Sequence, residues 1–146
     1  GRADVVVMAA AVADFRVADV AQGKLTKEDG GIPALALVEN PDILKGLCEL
    51  RREGQTIVGF AAETGTGDEL LERGRRKRRR KGVDLLAVNE VGWTKGFEAA
   101  DNHLFVLDAT DEVVADVAGS KREVADALLD AVRDCRSLSA GEDSAP

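Results

Sequence analysis

The chain has 146 residues, a net charge of −7 and 45% hydrophobic residues, which is the size and composition of one folded domain with a buried core. Aromatic residues make up only 3% of it, which disfavours nucleic-acid modules that stack bases on aromatic rings. There is no apolar run of membrane-spanning length and no signal-peptide pattern. Two cysteines and one histidine form neither a disulfide framework nor a zinc-ligand pattern. We therefore expect a cytoplasmic protein in a reducing compartment.

The first predicted element is a buried strand over Val5 to Met8, a short run rich in β-branched residues. Small residues follow it and let the backbone approach a flat ligand: Ala9, Ala10, Ala11 and Ala13. Asp14 and Arg16 add a carboxylate and a guanidinium at the same edge, and Lys24 with Lys27 can clamp a phosphate from the segment beyond. The residues alone leave open an alanine-rich packing corner followed by a solvated loop.

Strand and helix patterns alternate along the rest of the chain. Asn40 and Pro41 suit the N-cap and first position of a helix that ends near Gly54, and Ser120 with Glu123 forms a capping box for a last helix. We predict strands over Ala34–Val38, Thr56–Ala62 and Val83–Val88, a helix over Asp68–Lys81 that ends at Gly82, a hairpin of His103–Leu107 and Glu112–Val117, and a disordered tail over 137–146. This alternation predicts an α/β, Rossmann-like fold: a largely parallel sheet with helices on both faces and a C-terminal β-hairpin plus helix.

The carboxyl ends of the predicted strands carry the candidate binding residues, because ligands of parallel sheets bind outside those ends. We expect one ligand to touch four segments at this edge: Ala9–Asp14, Asn40–Pro41–Asp42, Phe60–Thr64 and Asn89. Free backbone N–H groups at the start of the helix after Asn40 would make the second segment an anion site.

A basic run, RGRRKRRRK over Arg73–Lys81, stands out in this acidic chain. Arg73, Lys77 and Lys81 recur at every fourth residue and so form one stripe on one helix face, with Arg76 off the stripe. The run predicts either a phosphate-binding stripe, a nucleic-acid patch, or a solvated helix end whose cations complement the helix dipole.

Six segments recur in a characteristic order and spacing: AAVADFR at Ala10–Arg16, Lys24 with Lys27, ENPDIL at Glu39–Leu44, VGFAAET at Val58–Thr64, VDLLAVNEV at Val83–Val91 and GFEAADN at Gly96–Asn102. Together they resemble phosphopantothenate–cysteine ligase, a coenzyme A biosynthesis enzyme that many bacteria fuse to a flavin-dependent decarboxylase. The resemblance implies a CTP- and Mg²⁺-dependent reaction. The enzyme activates 4′-phosphopantothenate as an acyl-cytidylate with release of pyrophosphate, and L-cysteine then attacks to give phosphopantothenoylcysteine and CMP. It also implies a homodimer, with FMN confined to the fused decarboxylase part.

Carried over by position, the resemblance assigns nucleotide binding to eleven residues: Ala10, Ala11, Asp14, Lys24, Asn40, Pro41, Asp42, Ile43, Phe60, Lys77 and Lys81. Lys24 matches a lysine on a flexible flap and is the expected catalytic residue, although Thr26 replaces a third basic residue of the flap. We expect residues 1–136 to be a CTP-binding synthetase domain that is truncated at its N-terminus and that holds CTP without necessarily completing the reaction. Two alternatives stay open: a non-catalytic nucleotide-binding or interaction module, and a nucleic-acid binder that uses the basic run.

Overall fold

The structure of the protein is a computed structural model that describes residues 2–24, 34–91 and 102–142. Its elements in chain order are β1 (Val5–Met8), β2 (Phe15–Val17), β3 (Leu37–Glu39), α1 (Ile43–Glu49), β4 (Thr56–Glu63), α2 (Gly67–Lys81), β5 (Leu85–Glu90), β6 (Asn102–Leu107), β7 (Val113–Gly119) and α3 (Lys121–Glu142). The chain divides into two compact units. We call Gly1–Ala10 with Leu44–Pro146 the sheet unit, and Ala11–Ile43 the hairpin unit.

The sheet unit contains a five-stranded sheet of order β1-β4-β5-β6-β7. The pairs β1–β4 and β4–β5 are parallel, and β6 and β7 extend the sheet as an antiparallel hairpin. The predicted α/β, Rossmann-like fold with a C-terminal β-hairpin plus helix is therefore confirmed. None of the helices within the described ranges combines the length and the hydropathy needed to cross a membrane.

Helices cover both faces of this sheet, because successive side chains of each buried strand point to opposite sides. One face, called here the α2 face, packs Ile57, Ala61, Leu86, Val88, Phe105 and Leu107 against Leu44 of α1 and Leu70 of α2. The other, the α3 face, packs Val58, Leu85, Ala87, Leu104 and Val106 against Leu128, Ala131 and Val132 of α3. The two cysteines also pack inward, Cys48 against the cluster on the α2 face and Cys135 against the cluster on the α3 face. Burial raises the pKa of the Cys135 thiol.

The side chain of Asp84 sets the start of β5. Its Oδ2 accepts a 2.7 Å hydrogen bond from the backbone N–H of Ile57, and its own N–H donates to the Ile57 carbonyl. Arg51 pairs with the same carboxylate and also donates to the carbonyl of Gly82. The Asp84 side chain, and not a backbone carbonyl, thus accepts the hydrogen bond from the Ile57 N–H. As a result, β5 begins at Leu85, two residues later than the hydrophobic run predicted.

The capping predictions for α2 and α3 are confirmed. Gly82 takes a left-handed conformation with φ 74° and donates its N–H to Arg78, which glycine does without the steric penalty of a Cβ. Ser120 donates to the Glu123 carboxylate, and the Glu123 N–H donates back to the Ser120 hydroxyl. The predicted tail is wrong through Glu142, because α3 continues to that residue. Residues 143–146 lie outside the described ranges.

The hairpin unit differs from the prediction. The predicted strand over Ala34–Val38 is reduced to β3, which does not join the main sheet and pairs antiparallel with β2. The helix predicted from Asn40 and Pro41 begins at Ile43 and ends at Glu49. Strands of three residues are too short to display a period, so the sequence pattern revealed neither β2 nor its pairing with β3.

Candidate functional site

Within the sheet unit, the carboxyl ends of β1, β4 and β5 meet at one edge, as predicted for parallel strands. The exposed Ala10 follows β1, Glu63 ends β4, and Asn89 with Glu90 ends β5. The fourth segment expected at this edge, Asn40–Pro41–Asp42, belongs to the hairpin unit and is described with it.

The side chains at this edge divide between the two faces of the sheet. Phe60, 40% exposed, pairs in register with Ala87 and therefore lies on the α3 face. Val88 is on the α2 face, so the next side chain, that of Asn89, points to the α3 face. Glu63 and Glu90, which stand opposite each other in the register of β4 and β5, lie on the α2 face. Phe60, a predicted nucleotide contact, and the basic helix α2 are thus on opposite sides of the sheet.

A cleft of about 490 Å³ lies on the α2 face, lined by Glu63, Arg73, Arg76, Lys77 and Arg80. Lys77 Nζ lies 2.6 Å from Glu63 Oε1, and their side chains are 31% and 16% exposed. The lining includes Arg76, which the every-fourth-residue stripe excluded, and leaves out Lys81, which the stripe included. The periodicity therefore identified the helix face only in part.

Three arginines of α2 bind the turn between β6 and β7 instead of lining the cleft. Arg78 Nε and Arg79 Nη1 donate to the Asp111 carboxylate at 2.6 and 2.5 Å, and Arg75 donates to its backbone carbonyl at 3.1 Å. Desolvation alone would raise the pKa of Asp111, but the hydrogen bonds from Arg78 and Arg79 outweigh it and lower the pKa. These cations hold the hairpin against the helix, which is a structural role.

His103 of β6 lies on the α2 face and contacts two carboxylates. His103 Nε2 lies 2.7 Å from Asp116 and Nδ1 lies 3.2 Å from Glu90. The pKa of His103 is raised, chiefly by the hydrogen bond to Asp116 and further by Glu90, with burial acting in the opposite direction. No sequence pattern indicated this group, because its members come from three strands. In the part of the chain that the structure describes, no group of three or more His, Cys, Asp or Glu side chains is arranged to hold a metal ion.

In the hairpin unit, Asn40 and Arg16 fix the loop that carries Asp14. Asn40 donates from Nδ2 to the carbonyl of Ala13 and from its backbone N–H to that of Asp14, both at 2.8 Å. Arg16 donates to Asn40 Oδ1 at 3.0 Å and to the Glu39 carbonyl at 2.9 Å. The prediction of Asn40 as a helix N-cap is therefore wrong, because its side-chain amide serves the neighbouring loop.

The other predicted contacts of the hairpin unit are exposed: Ala11, Asp14, Lys24, Pro41, Asp42 and Ile43. Lys24 makes no hydrogen bond or ion pair with any residue of the described ranges, so its predicted role is untested by its contacts. Helix α1 has only seven residues, which makes its N-terminus a weak anion site. Lys27 and residues 96–101 of the motif ending at Asn102 lie outside the described residues.

Comparisons of sequence identify the relatives of this chain. Residues 1–135 match the family of the DNA/pantothenate metabolism flavoprotein C-terminal domain. The coenzyme A biosynthesis bifunctional protein CoaBC of Mycobacterium tuberculosis H37Rv is 46% identical over 136 residues, which are 89% of this chain and 32% of that protein. The CoaBC of Escherichia coli K12 is 42% identical over 104 residues, 68% of this chain and 25% of that protein. The chain therefore spans about a third or less of these relatives.

Solved structures agree with the sequence relatives. The crystal structure of the C-terminal domain of a CoaBC protein covers 90% of this chain with a TM-score of 0.64 and 27% identity, and the match spans 54% of that chain. The DNA/pantothenate metabolism flavoprotein from Streptococcus pneumoniae has a TM-score of 0.68 at 18% identity, covering 90% of this chain and 63% of its own, and shows the shared fold alone. The chain belongs to the DNA/pantothenate metabolism flavoprotein C-terminal domain family, and its curated relatives are the CoaBC proteins of coenzyme A biosynthesis.

Proposed function

We propose that this chain binds CTP and serves in the CTP-dependent ligation of cysteine to 4′-phosphopantothenate through an acyl-cytidylate. The observation that carries the proposal is the cleft beside the carboxyl end of β4, where four cations face one carboxylate in a chain of net charge −7. Phosphates bind at this end of open α/β sheets, and a cationic cleft concentrates anionic substrates. Membership of a family with coenzyme A biosynthesis relatives supports the substrate class.

In this proposal the sheet unit holds both ends of the nucleotide. Phe60 offers an apolar wall on the α3 face, and Lys77 with its neighbours neutralises the phosphates on the α2 face. A ligand that touches both must lie over the carboxyl edge of the sheet, where the small, exposed Ala10 leaves room beside β4. Lys81, at the end of α2, is assigned to the same phosphate chain.

The hairpin unit supplies the remaining proposed contacts: Ala11, Asp14, Lys24, Asn40, Pro41, Asp42 and Ile43. The bonds that Asn40 donates to Ala13 and Asp14, with Asn40 itself held by Arg16, support a rigid position for Asp14. Lys24 is the proposed catalytic residue. Its exposure and its lack of a partner in the described ranges suit a side chain that acts once the substrate has bound.

The proposed cofactor is Mg²⁺, bound chiefly through the nucleotide. The described residues offer no group of three or more ligands for it, and Mg²⁺ usually binds through substrate phosphates and one or two carboxylates. FMN is assigned to a fused decarboxylase part. A cytoplasmic homodimer completes the proposal, supported by the large apolar side chains that the hairpin unit exposes, with Phe15 at 55% and Leu37 at 60%.

The proposal is tested by thermal unfolding of this chain with CTP, ATP or GTP in the presence of Mg²⁺, with FMN as a separate titration. We expect CTP to stabilise most, by about 2.7 kcal/mol at a hundred times its dissociation constant. Equal stabilisation by ATP and CTP contradicts the CTP preference. Stabilisation by FMN without any by CTP assigns the chain to flavin chemistry instead of ligation.

A non-catalytic nucleotide-binding module is the second candidate, because the cations that line the cleft can bind phosphates by themselves and the lining does not include Lys24. Pyrophosphate release by the full-length protein separates the two, since a module without chemistry leaves that rate unchanged when Lys24 is substituted. A nucleic-acid patch has less support. At least five of the eight basic residues from Arg73 to Lys81 are in ion pairs with described residues, and counterion release requires cations that are available to phosphates.

A further inference from the structure

Two arginines of α2 are available to a ligand without any rearrangement. Arg76 and Arg80 are exposed, line the cleft and form no hydrogen bond or ion pair with the residues that the structure describes. They are four residues apart, which places them on the same helix face one turn apart. Both guanidinium groups therefore stand at the cleft with donors that no described residue uses.

Lys77, between them in sequence, is in a different position. Its ammonium group already has a carboxylate partner, Glu63, at 2.6 Å. An anion that enters the cleft must share Lys77 with Glu63 or displace it, and either event offsets part of the gain from binding. Arg76 and Arg80 carry no such competitor, so the geometry favours them as the first contacts of an anion.

The fold gains little from these two arginines. Like charges one turn apart repel, and the turn between β6 and β7 is already held by Arg75, Arg78 and Arg79. The helix dipole favours Arg80, which is in the last turn, but Arg76 precedes that turn. Two cations that repel each other and bind none of the described residues are explained more simply by a ligand than by stability.

We propose that Arg76 and Arg80 bind a diphosphate group and provide more of its affinity than Lys77 does. Guanidinium forks bind phosphate oxygens in pairs, and two forks one turn apart match an anion with two phosphate groups. The diphosphate is either the β,γ-phosphates of a nucleoside triphosphate or free pyrophosphate. Binding of the β,γ-phosphates of a nucleoside triphosphate rests on the function proposed above, whereas binding of free pyrophosphate does not.

The test is a calorimetric titration of this chain with CTP, CMP and inorganic pyrophosphate at low ionic strength. Arg76→Gln/Arg80→Gln is compared with wild type, with Lys77→Gln, and with the matched double variant Arg122→Gln/Arg133→Gln. The matched variant removes two exposed arginines of α3 and the same charge. We expect the Arg76/Arg80 variant to bind CTP and pyrophosphate about a hundredfold more weakly, about tenfold for each arginine. We expect a smaller loss in Lys77→Gln and no change for CMP. Without ligand, the Arg76/Arg80 variant should unfold at the same or a higher temperature than wild type.

The outcomes separate this inference from the proposed function. If wild type binds CTP and Arg76→Gln/Arg80→Gln binds it equally well, the inference is wrong while the proposed function stands. If pyrophosphate binding depends on the two arginines but CTP binds no better than CMP, the diphosphate site stands and the proposed function fails. If the glutamine variant does not fold, the same titrations are made with Arg76→Lys/Arg80→Lys. Pyrophosphate affinity equal to that of wild type in this lysine variant overturns the role of the guanidinium forks.

Discussion

Glu63 is expected to restrain the cleft, and its replacement by glutamine tests this directly. The side chain is 16% exposed and lies 2.6 Å from the Lys77 ammonium group. It also stands opposite Glu90 in the register of β4 and β5, so two carboxylates neighbour each other on the α2 face. Glu63→Gln removes the one negative charge of the cleft lining and leaves an amide of nearly the same shape.

Two opposite effects are expected from Glu63→Gln. A hydrogen bond to a charged group contributes about 1.5–3 kcal/mol net. Because Lys77 is 31% exposed, solvent screening reduces this, and relief of the repulsion from Glu90 offsets more of it. We therefore expect a loss of about 1 kcal/mol in the free energy of unfolding. The released ammonium group then becomes available to phosphate, and CTP and pyrophosphate should bind about tenfold more tightly, a gain of about 1.4 kcal/mol.

Calorimetry with and without Mg²⁺, together with urea unfolding, measures both quantities. Glu72→Gln is the matched control, because Glu72 also pairs with arginines of α2, Arg75 at 4.0 Å and Arg79 at 3.5 Å, but is 55% exposed, and none of these three residues lines the cleft. Weaker pyrophosphate binding by Glu63→Gln under both conditions refutes the idea that Glu63 competes with the anion. Weaker binding only in the presence of Mg²⁺ instead identifies Glu63 as a metal ligand.

Three further substitutions test separate parts of the molecule. In the full-length protein, Lys24→Gln should lower the single-turnover rate of pyrophosphate release with little change in CTP affinity, because an interaction made in the transition state affects rate more than binding. A loss of CTP affinity alone means that Lys24 only binds the nucleotide. Gly74→Ala should lower the free energy of unfolding, measured in urea, by about 1–2 kcal/mol. The added Cβ would lie 2.9 Å from Val88, and this overpacking outweighs the gain in helix propensity. A more stable variant contradicts the prediction. The pKa of His103 is raised in the folded protein, so its bond to Asp116 stabilises the fold fully below the unfolded pKa of 6.5 and less as the pH rises through the folded pKa. The melting temperatures of wild type and His103→Asn should therefore converge above the folded pKa. A constant difference at all pH values contradicts this prediction.

The elements that the sequence predicted well are those with strong local signals. Helix α2 has a glycine that takes a left-handed conformation at its end, and α3 has reciprocal bonds between Ser120 and Glu123 at its start. The central strands are continuous apolar runs, as buried parallel strands are. The hairpin of β2 and β3 lacked any such signal, because its three-residue strands depend on pairing with each other and on the bonds of Arg16 to Glu39 and Asn40.

The lining of the cleft was predicted less completely than the fold. Counting every fourth residue of the basic run selects a single line along a helix, whereas a cleft contacts a wider face that includes neighbours three residues apart. Arg76 was therefore excluded and Lys81 included, contrary to the lining of the cleft. The pairing of Arg75, Arg78 and Arg79 with the turn at Asp111 depends on tertiary structure. No pattern in the run distinguishes these arginines from Arg76 and Arg80, which pair with no described residue.

The alternation of β4 constrains any ligand of the sheet unit. Phe60 and Glu63 lie on the same strand but on opposite faces, so no ligand confined to one face can contact both. A compact anion fits the α2 face alone, because the cleft there is bounded by charged side chains. A nucleotide has an apolar base and a charged phosphate chain, and only a ligand with two such unlike ends uses both faces across the edge near Ala10. The placement of one aromatic and one cationic surface on either side of the same strand end is therefore the strongest structural support for a nucleotide over a simple phosphate.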